Sequence, residues 1–106
     1  MRKEYSLKRN EEISKIVHSS KCIKNDSFVI YIKNNEMDHA RVCISVSKKL
    51  GKAHLRNKTK RQVRMMITEI LNFKKLVDLV IVVRKKYFDY DFANNKANLQ
   101  NLISRI

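Results

Sequence analysis

The stretch Val42-Cys43-Ile44-Ser45-Val46-Ser47-Lys48-Lys49-Leu50-Gly51-Lys52-Ala53-His54-Leu55-Arg56-Asn57-Lys58-Thr59-Lys60-Arg61-Gln62-Val63-Arg64 changes its hydrophobic period once, and that change decides the fold. From Ala40 to Ser47 the period is two. Val42, Ile44 and Val46 share one face and Arg41, Cys43, Ser45 and Ser47 the other, which predicts a strand in a sheet with one polar side. Lys48 to Lys52 breaks the alternation, and Gly51, the only glycine, suits a turn at φ > 0. From about Ala53 to Leu71 the period becomes that of a helix. Leu55, Thr59, Val63, Met66, Ile67 and Ile70 form the apolar arc at 100° per residue. Asn57, Lys60, Arg61 and Arg64 lie opposite at i, i+3, i+4 and i+7, with Arg56 and Lys58 at the flanks. The run Val77 to Val83 is nearly all apolar, as in a central strand buried on both faces, so the helix is expected to join two parallel neighbours.

Upstream, Glu11 to His18 carries Ile13, Ile16 and Val17 at helical spacing, with Asn10 as the expected N-cap. Phe28-Val29-Ile30-Tyr31-Ile32 is a β-rich run, and Asn34 to Asp38 has the composition of a hairpin loop. Lys21 to Ile32 reads as one bent strand or two, so the order is α-β-β-β-α-β-α or α-β-β-α-β-α. Downstream, Phe92, Leu99, Leu102, Ile103 and Ile106 mark a last helix capped by Asp91 or Asp89. The 106 residues, 43% of them hydrophobic, suit one domain spanning 1–106 with one core.

Twenty-four Lys and Arg against ten Asp and Glu give a net charge of +14, which attracts polyanions. The longest purely apolar run, Leu79 to Val83, is far short of the ~20 residues a membrane-spanning helix needs. The charged N-terminus lacks the apolar core of a secretory signal, so the expected location is the cytoplasm, with nucleic acid as the partner and no membrane. Three of the eight arginines fall between Arg56 and Arg64, where a rigid fork can grip phosphate bidentately. No acid appears from Asp38 until Glu69, so this helix lacks the i,i+4 ion pairs of an ordinary solvated face. Ser45, Ser47, Lys48 and Lys49 would join it in one polyanion-binding surface.

The carboxylates are scattered, with no spacing that suits a general acid–base couple or a metal pair. His18-x-x-x-Cys22 and His39-x-x-x-Cys43 repeat a ligand-like spacing, but four residues along a strand span ~13 Å, too far for one zinc ion. Cys22 and Cys43 lack CxxC spacing and are expected to be reduced and buried.

The strand and turn Val42-Cys43-Ile44-Ser45-Val46-Ser47-Lys48-Lys49-Leu50-Gly51-Lys52-Ala53, followed by Arg56-Asn57-Lys58-Thr59-Lys60-Arg61-Gln62-Val63-Arg64, resembles the signature of the bacterial ribonuclease P protein subunit. Leu7-Lys8-Arg9-Asn10-Glu11-Glu12 is similar to the family's lead into its first helix, and Phe28-Val29-Ile30-Tyr31 to its first long strand. The resemblance implies an α/β (α+β) two-layer sandwich, a four-stranded mixed sheet with three helices in the order α-β-β-β-α-β-α and a left-handed βαβ crossover. It implies a ribonucleoprotein endonuclease whose RNA carries out the Mg²⁺-dependent hydrolysis that removes the 5′ leader of precursor tRNA. The protein would supply binding and no catalytic residues; Mg²⁺ would be held mainly by the RNA, and no obligate protein partner is implied.

By matching position, Arg56, Asn57, Lys58, Lys60, Arg61 and Arg64, with Lys48 and Lys49, would contact the ribonuclease P RNA. A cleft between the first helix and the sheet would hold the leader, with Ile13, Val17, Phe28, Tyr31, Ser45 and Ser47 as its expected lining. Ile13 and Val17 stand where many relatives carry phenylalanine, so that wall keeps apolar contact but loses base stacking, ~1–3 kcal/mol per base. Lys58 and Met65 also depart from the family pattern, which has arginine and an acid there. The alternative reading is a ribosomal or other structural RNA-binding protein, equally small and basic, that lacks a processing role.

Overall fold

The computed structural model describes residues 1–19 and 21–106. Its elements are α1 (Asn10–Ser19), β1 (Lys21–Lys24), β2 (Phe28–Asn34), β3 (Arg41–Ser45), α2 (Ala53–Ile70), β4 (Val77–Val83) and α3 (Phe92–Ile103), with short 3₁₀ turns at Lys3–Tyr5, Lys48–Leu50 and Lys85–Asp89. Lys21 to Ile32 is therefore two strands, broken where Asn25 Oδ1 accepts the N–H groups of Ser27 and Phe28, both at 3.1 Å. The first helix begins at Asn10 itself, one residue before the expected start. Asp91, not Asp89, caps α3, its carboxylate accepting the Asn94 N–H at 2.8 Å.

The sheet order is β1-β2-β4-β3, antiparallel except for the β3–β4 pair, which is parallel and joined through α2. The apolar run Val77–Val83 is thus an interior strand. Its odd positions Val77, Leu79, Ile81 and Val83 join Phe28, Ile30, Val42 and Val46 in the main core, closed by Val63, Met66 and Ile67 of α2 and Leu99, Leu102 and Ile103 of α3. The helical arc read from α2 is the one buried here.

The other face of the sheet is not the solvated polar side that the β3 alternation suggests. There α1 packs Ile16 against Val80 and Leu7, with Ile13, Val17, Tyr31, Cys43 and Val82 partly buried around them. The chain also turns a polar knot at one end of the main core. Ser27 donates to Asn95 Oδ1 at 2.7 Å, Asn98 donates to Ser27 Oγ at 2.9 Å and Asn25 donates to the Asn98 carbonyl at 2.8 Å, tying α3 to the β1–β2 turn. Ser27 and Asn95 are fully buried, and their mutual bonds offset the cost of that burial. Among the described residues no helix is long and apolar enough to cross a membrane.

Candidate nucleic-acid interface

Cross-strand register sets out the α1 face in rows. Lys33, Asp78 and Arg41 form the first, Cys22, Tyr31, Val80 and Cys43 the second, and Lys24, Val29, Val82 and Ser45 the third. Neighbouring strands lie ≈ 4.8 Å apart, so each four-residue row is a floor roughly 14 Å wide. The first row fixes α1. Arg41 grips Asp78 with two bonds, Nε to Oδ1 at 2.9 Å and Nη2 to Oδ2 at 2.7 Å, and reaches Glu12 of α1 through Nη1 at 3.1 Å. Asn35 adds a bond to Asp78 at 2.8 Å. The hydrogen bonds that Arg41 donates to Asp78 hold its guanidinium above its usual range, against the opposing effect of burial. Sequence reasoning passed over this network, although an aspartate inside the apolar run Val77–Val83 was a signal, since a buried carboxylate needs a partner.

Beyond α1 the second and third rows are only half covered: Val29, Tyr31, Cys43, Ser45 and Val82 are all partly exposed. Ile13 and Val17 of α1 pack with Tyr31, Cys43 and Val82 around Val80, a half-covered apolar surface floored by the sheet that is the candidate cleft. Ile13, Val17 and Tyr31 are thus brought together, and Ser45 shares their sheet face in the neighbouring row beside Val82. Phe28 does not: it is 0% exposed in the main core, edge-on to Tyr87 at 5.6 Å on the opposite side of the sheet, and no ligand in the cleft can touch it. Ser47 lies past the strand end, where its Oγ accepts the Lys49 N–H at 3.2 Å and caps the turn that presents Lys48 and Lys49 to solvent. Val29, Val82 and Lys24 are cleft residues the sequence reading missed; the β2–β4 register, invisible in sequence, is what puts them there.

On α2, Asn57, Lys58, Arg61 and Arg64 are exposed. Lys60 is half-buried and belongs to the flank toward β3, not to the outward ridge. Burial pushes the Cys43 thiol up, and the Lys60 charge pulls the other way, so the ammonium is felt on the cleft face of β3. Arg56 is half-buried on the same flank, with its Nε buried and without a hydrogen-bond partner. Among the described residues no carboxylate lies within 4.0 Å of Arg56, Lys58, Lys60, Arg61 or Arg64; the acids pair elsewhere, as in Arg2–Glu4, Asp38–His39, Arg41 with Glu12 and Asp78, and Glu69–Lys96. Five cations on two turns of helix without acid partners are poised for an external anion.

Among the described residues no three His, Cys, Asp or Glu side chains gather to hold a metal ion. Cys22 and Cys43 are free thiols on opposite edge strands; Cys22 is exposed, not buried as expected, because β1 leaves its outer rim open.

Comparison with known proteins places the whole chain in one family. The family model described as Ribonuclease P matches residues 1–106. The ribonuclease P protein component of Mycoplasma capricolum is 41% identical over all of this chain and 99% of its own length. That of Streptococcus gordonii is 35% identical over 97% of this chain and 87% of its own. Among solved structures, the RNase P protein of Staphylococcus aureus superposes with a TM-score of 0.87 at 33% identity, covering 95% of this chain and 94% of that one. The Thermotoga maritima RNase P protein gives 0.83 at 32% identity over 95% and 96%. With sequence and fold in agreement over nearly its whole length, the chain belongs to the ribonuclease P protein family and is a protein component of that ribonucleoprotein enzyme.

Proposed function

We propose that the protein works by holding two RNAs against each other: the ribonuclease P RNA on the outer face of α2, and the 5′ leader of precursor tRNA in the cleft under α1. The observation that carries this reading is the cationic face of α2, which has no acid partner among the described residues and adjoins the cleft along β3. Asn57, Lys58, Arg61 and Arg64, with Lys48 and Lys49 from the preceding turn, take the phosphates of the catalytic RNA. Arg56 and Lys60, on the β3 flank, stand between the two sites, and the buried Nε of Arg56 gains in an RNA complex the acceptor it lacks here.

Ile13, Val17, Tyr31, Val29, Val82 and Ser45 receive the leader. A half-buried apolar floor with one tyrosine suits unpaired bases of any sequence, since stacking is tolerant of base identity. The protein contributes orientation, which makes a bimolecular encounter effectively unimolecular. Mg²⁺, bound mainly by the RNA, supplies the metal chemistry of phosphodiester hydrolysis. Glu12 on α1 and Asp78 on β4 are both engaged by Arg41, which makes them poor metal donors. The reaction belongs in the cytoplasm.

Reconstitution tests the reading. Mixed with a ribonuclease P RNA and a tRNA precursor at low Mg²⁺, the protein should stimulate release of the leader; unchanged cleavage rules the function out. In the same assay Arg61→Ala with Arg64→Ala should weaken binding to the catalytic RNA and reduce the slope of log K against log salt by about two, one per lost phosphate contact. An unchanged slope would assign those arginines to solvent.

A further inference from the structure

Of the eight Phe and Tyr residues in the chain, four occur within Tyr87–Phe92, directly after Arg84-Lys85-Lys86. Tyr87 is a packing residue: it is 4% exposed, and its hydroxyl donates to Gln62 Oε1 at 2.8 Å. The other three rings are not packed away. Phe88 is 39% exposed, Tyr90 37% and Phe92 41%, a clustering of apolar surface that folding alone does not require.

Two of these rings are held in place, and the backbone that carries all three is fixed. Phe88 lies edge-on to Tyr87 at 5.5 Å, and the Tyr90 hydroxyl donates to Asp26 at 2.7 Å. The buried Asn95 amide donates to the carbonyls of Tyr87 and Tyr90 at 2.9 and 3.3 Å, fixing the backbone between the rings. Phe92 opens α3 directly after its Asp91 cap. An aromatic patch fixed in advance loses little entropy when a ligand arrives.

A groove of about 280 Å³ runs between this segment and α2, and Lys58 lines it together with Phe88, Tyr90 and Phe92. Lys58 therefore belongs both to the cationic face of α2 and to the aromatic groove, so the two surfaces are continuous. The charge around the rings nearly balances: Lys58, Arg84, Lys85 and Lys86 are offset in part by Asp26, Asp89 and Asp91. Such a patch attracts phosphate weakly but offers flat apolar faces, which suits bases whose phosphates are held next door.

We propose that Phe88, Tyr90 and Phe92 form a stacking platform for unpaired RNA nucleotides, an extension of the α2 surface distinct from the cleft under α1. The proposal rests on the RNA-binding reading of α2 and adds a second kind of contact to it. Nucleotides leaving the α2 ridge past Lys58 meet the rings, and aromatic side chains take bases by stacking regardless of sequence.

The test uses the full chain and two fluorescent strands, a short oligouridylate and a matched ribose-phosphate strand without bases. Wild-type protein should bind the base-bearing strand more tightly. Phe88→Leu with Phe92→Leu, which keeps apolar bulk and removes the π faces, should weaken oligouridylate binding at least about fivefold, with an unchanged salt slope and unchanged affinity for the abasic strand. Equal oligouridylate binding by variant and wild type overturns the platform, as does equal loss on both strands. Failure of wild type to discriminate the strands overturns it without any variant. Arg61→Ala with Arg64→Ala is the separate control: if it leaves both affinities and slopes unchanged, the α2 reading fails, whatever the rings do. If the platform docks a protein instead, the leucine variant binds both strands as wild type does, and the proposal falls.

Discussion

Gly51 sits at φ 153°, and a Cβ built there would lie 2.7 Å from Leu55 Cδ2. The leucine tip can move aside, so the backbone is the stronger reason for glycine at the step from β3 to α2. Tyr87 has the sharper consequence. Burial pushes its phenol from 10.0 up to about 12. Between those values the unfolded chain releases the proton while the folded chain keeps it, so stability is full below pH 10 and falls as pH rises toward 12. Tyr87→Phe should flatten the alkaline limb of a urea-midpoint profile over that window, while costing about 1 kcal/mol at neutral pH for the lost bond to Gln62. At this scale the sequence was readable where one residue type answered one need, as Gly51 did, whereas the α3 cap stayed open between Asp89 and Asp91 until the Asp91–Asn94 bond decided it. The sequence misled where two readings of one period were combined. Phe28 and Tyr31 are three positions apart on one strand, so alternation alone already puts them on opposite faces.

The helix α1 meets the sheet through Ile16 and the Arg41 network. Arg41→Ala would leave the Asp78 carboxylate buried with only Asn35 as partner, and should cost about 3 kcal/mol in denaturant unfolding. Glu12→Gln keeps the Arg41–Asp78 pair and loses only a half-exposed ion pair, so less than about 1 kcal/mol is expected. If the two variants cost the same, the network is not organised around Asp78. Helices and strands were legible because their periods are unlike. The bounds of β4 match the apolar run Val77–Val83, and α2 ends within a residue of its expected end. What could not be read was rotation. Lys60 fits the outward series by spacing, yet α2 lies so that its flank toward β3 carries Lys60 and Arg56, a choice made by how Val63, Met66 and Ile67 seat on the sheet.

For the whole molecule, a net charge of +14 on a body with a Cα radius of gyration of 12.9 Å means strong self-repulsion. Raising NaCl from low to physiological concentration should raise the thermal midpoint by a few degrees, as screening relieves the repulsion among Lys48, Lys49 and the cations of α2. A midpoint that falls with salt would show attractive pairs such as Arg41–Asp78 to be dominant. The order of periods made three helices legible but left Lys21 to Ile32 open between one strand and two; the fourth strand was implied only by the resemblance. The α1 cleft followed only from resemblance, because it depends on contacts between α1 and the β2–β4 pair that lie far apart in sequence.

One contact near the N-terminus bears on how such a molecule survives its own concentration. The Leu7 N–H donates to the Val42 carbonyl at 2.9 Å, and Ser6 bridges to the same residue, so the outer rim of β3 is partly occupied by the chain itself. At the opposite rim two of the four β1 residues are lysines. A sheet whose rims are shielded in these two ways is a poor template for strand addition, one by occupancy and the other by like charge. The guard at β1 is only electrostatic. When bound polyanion neutralises the surface, that guard weakens, while the one at β3 does not. Crowded, RNA-saturated protein should therefore begin any edge-to-edge association at Lys21–Lys24.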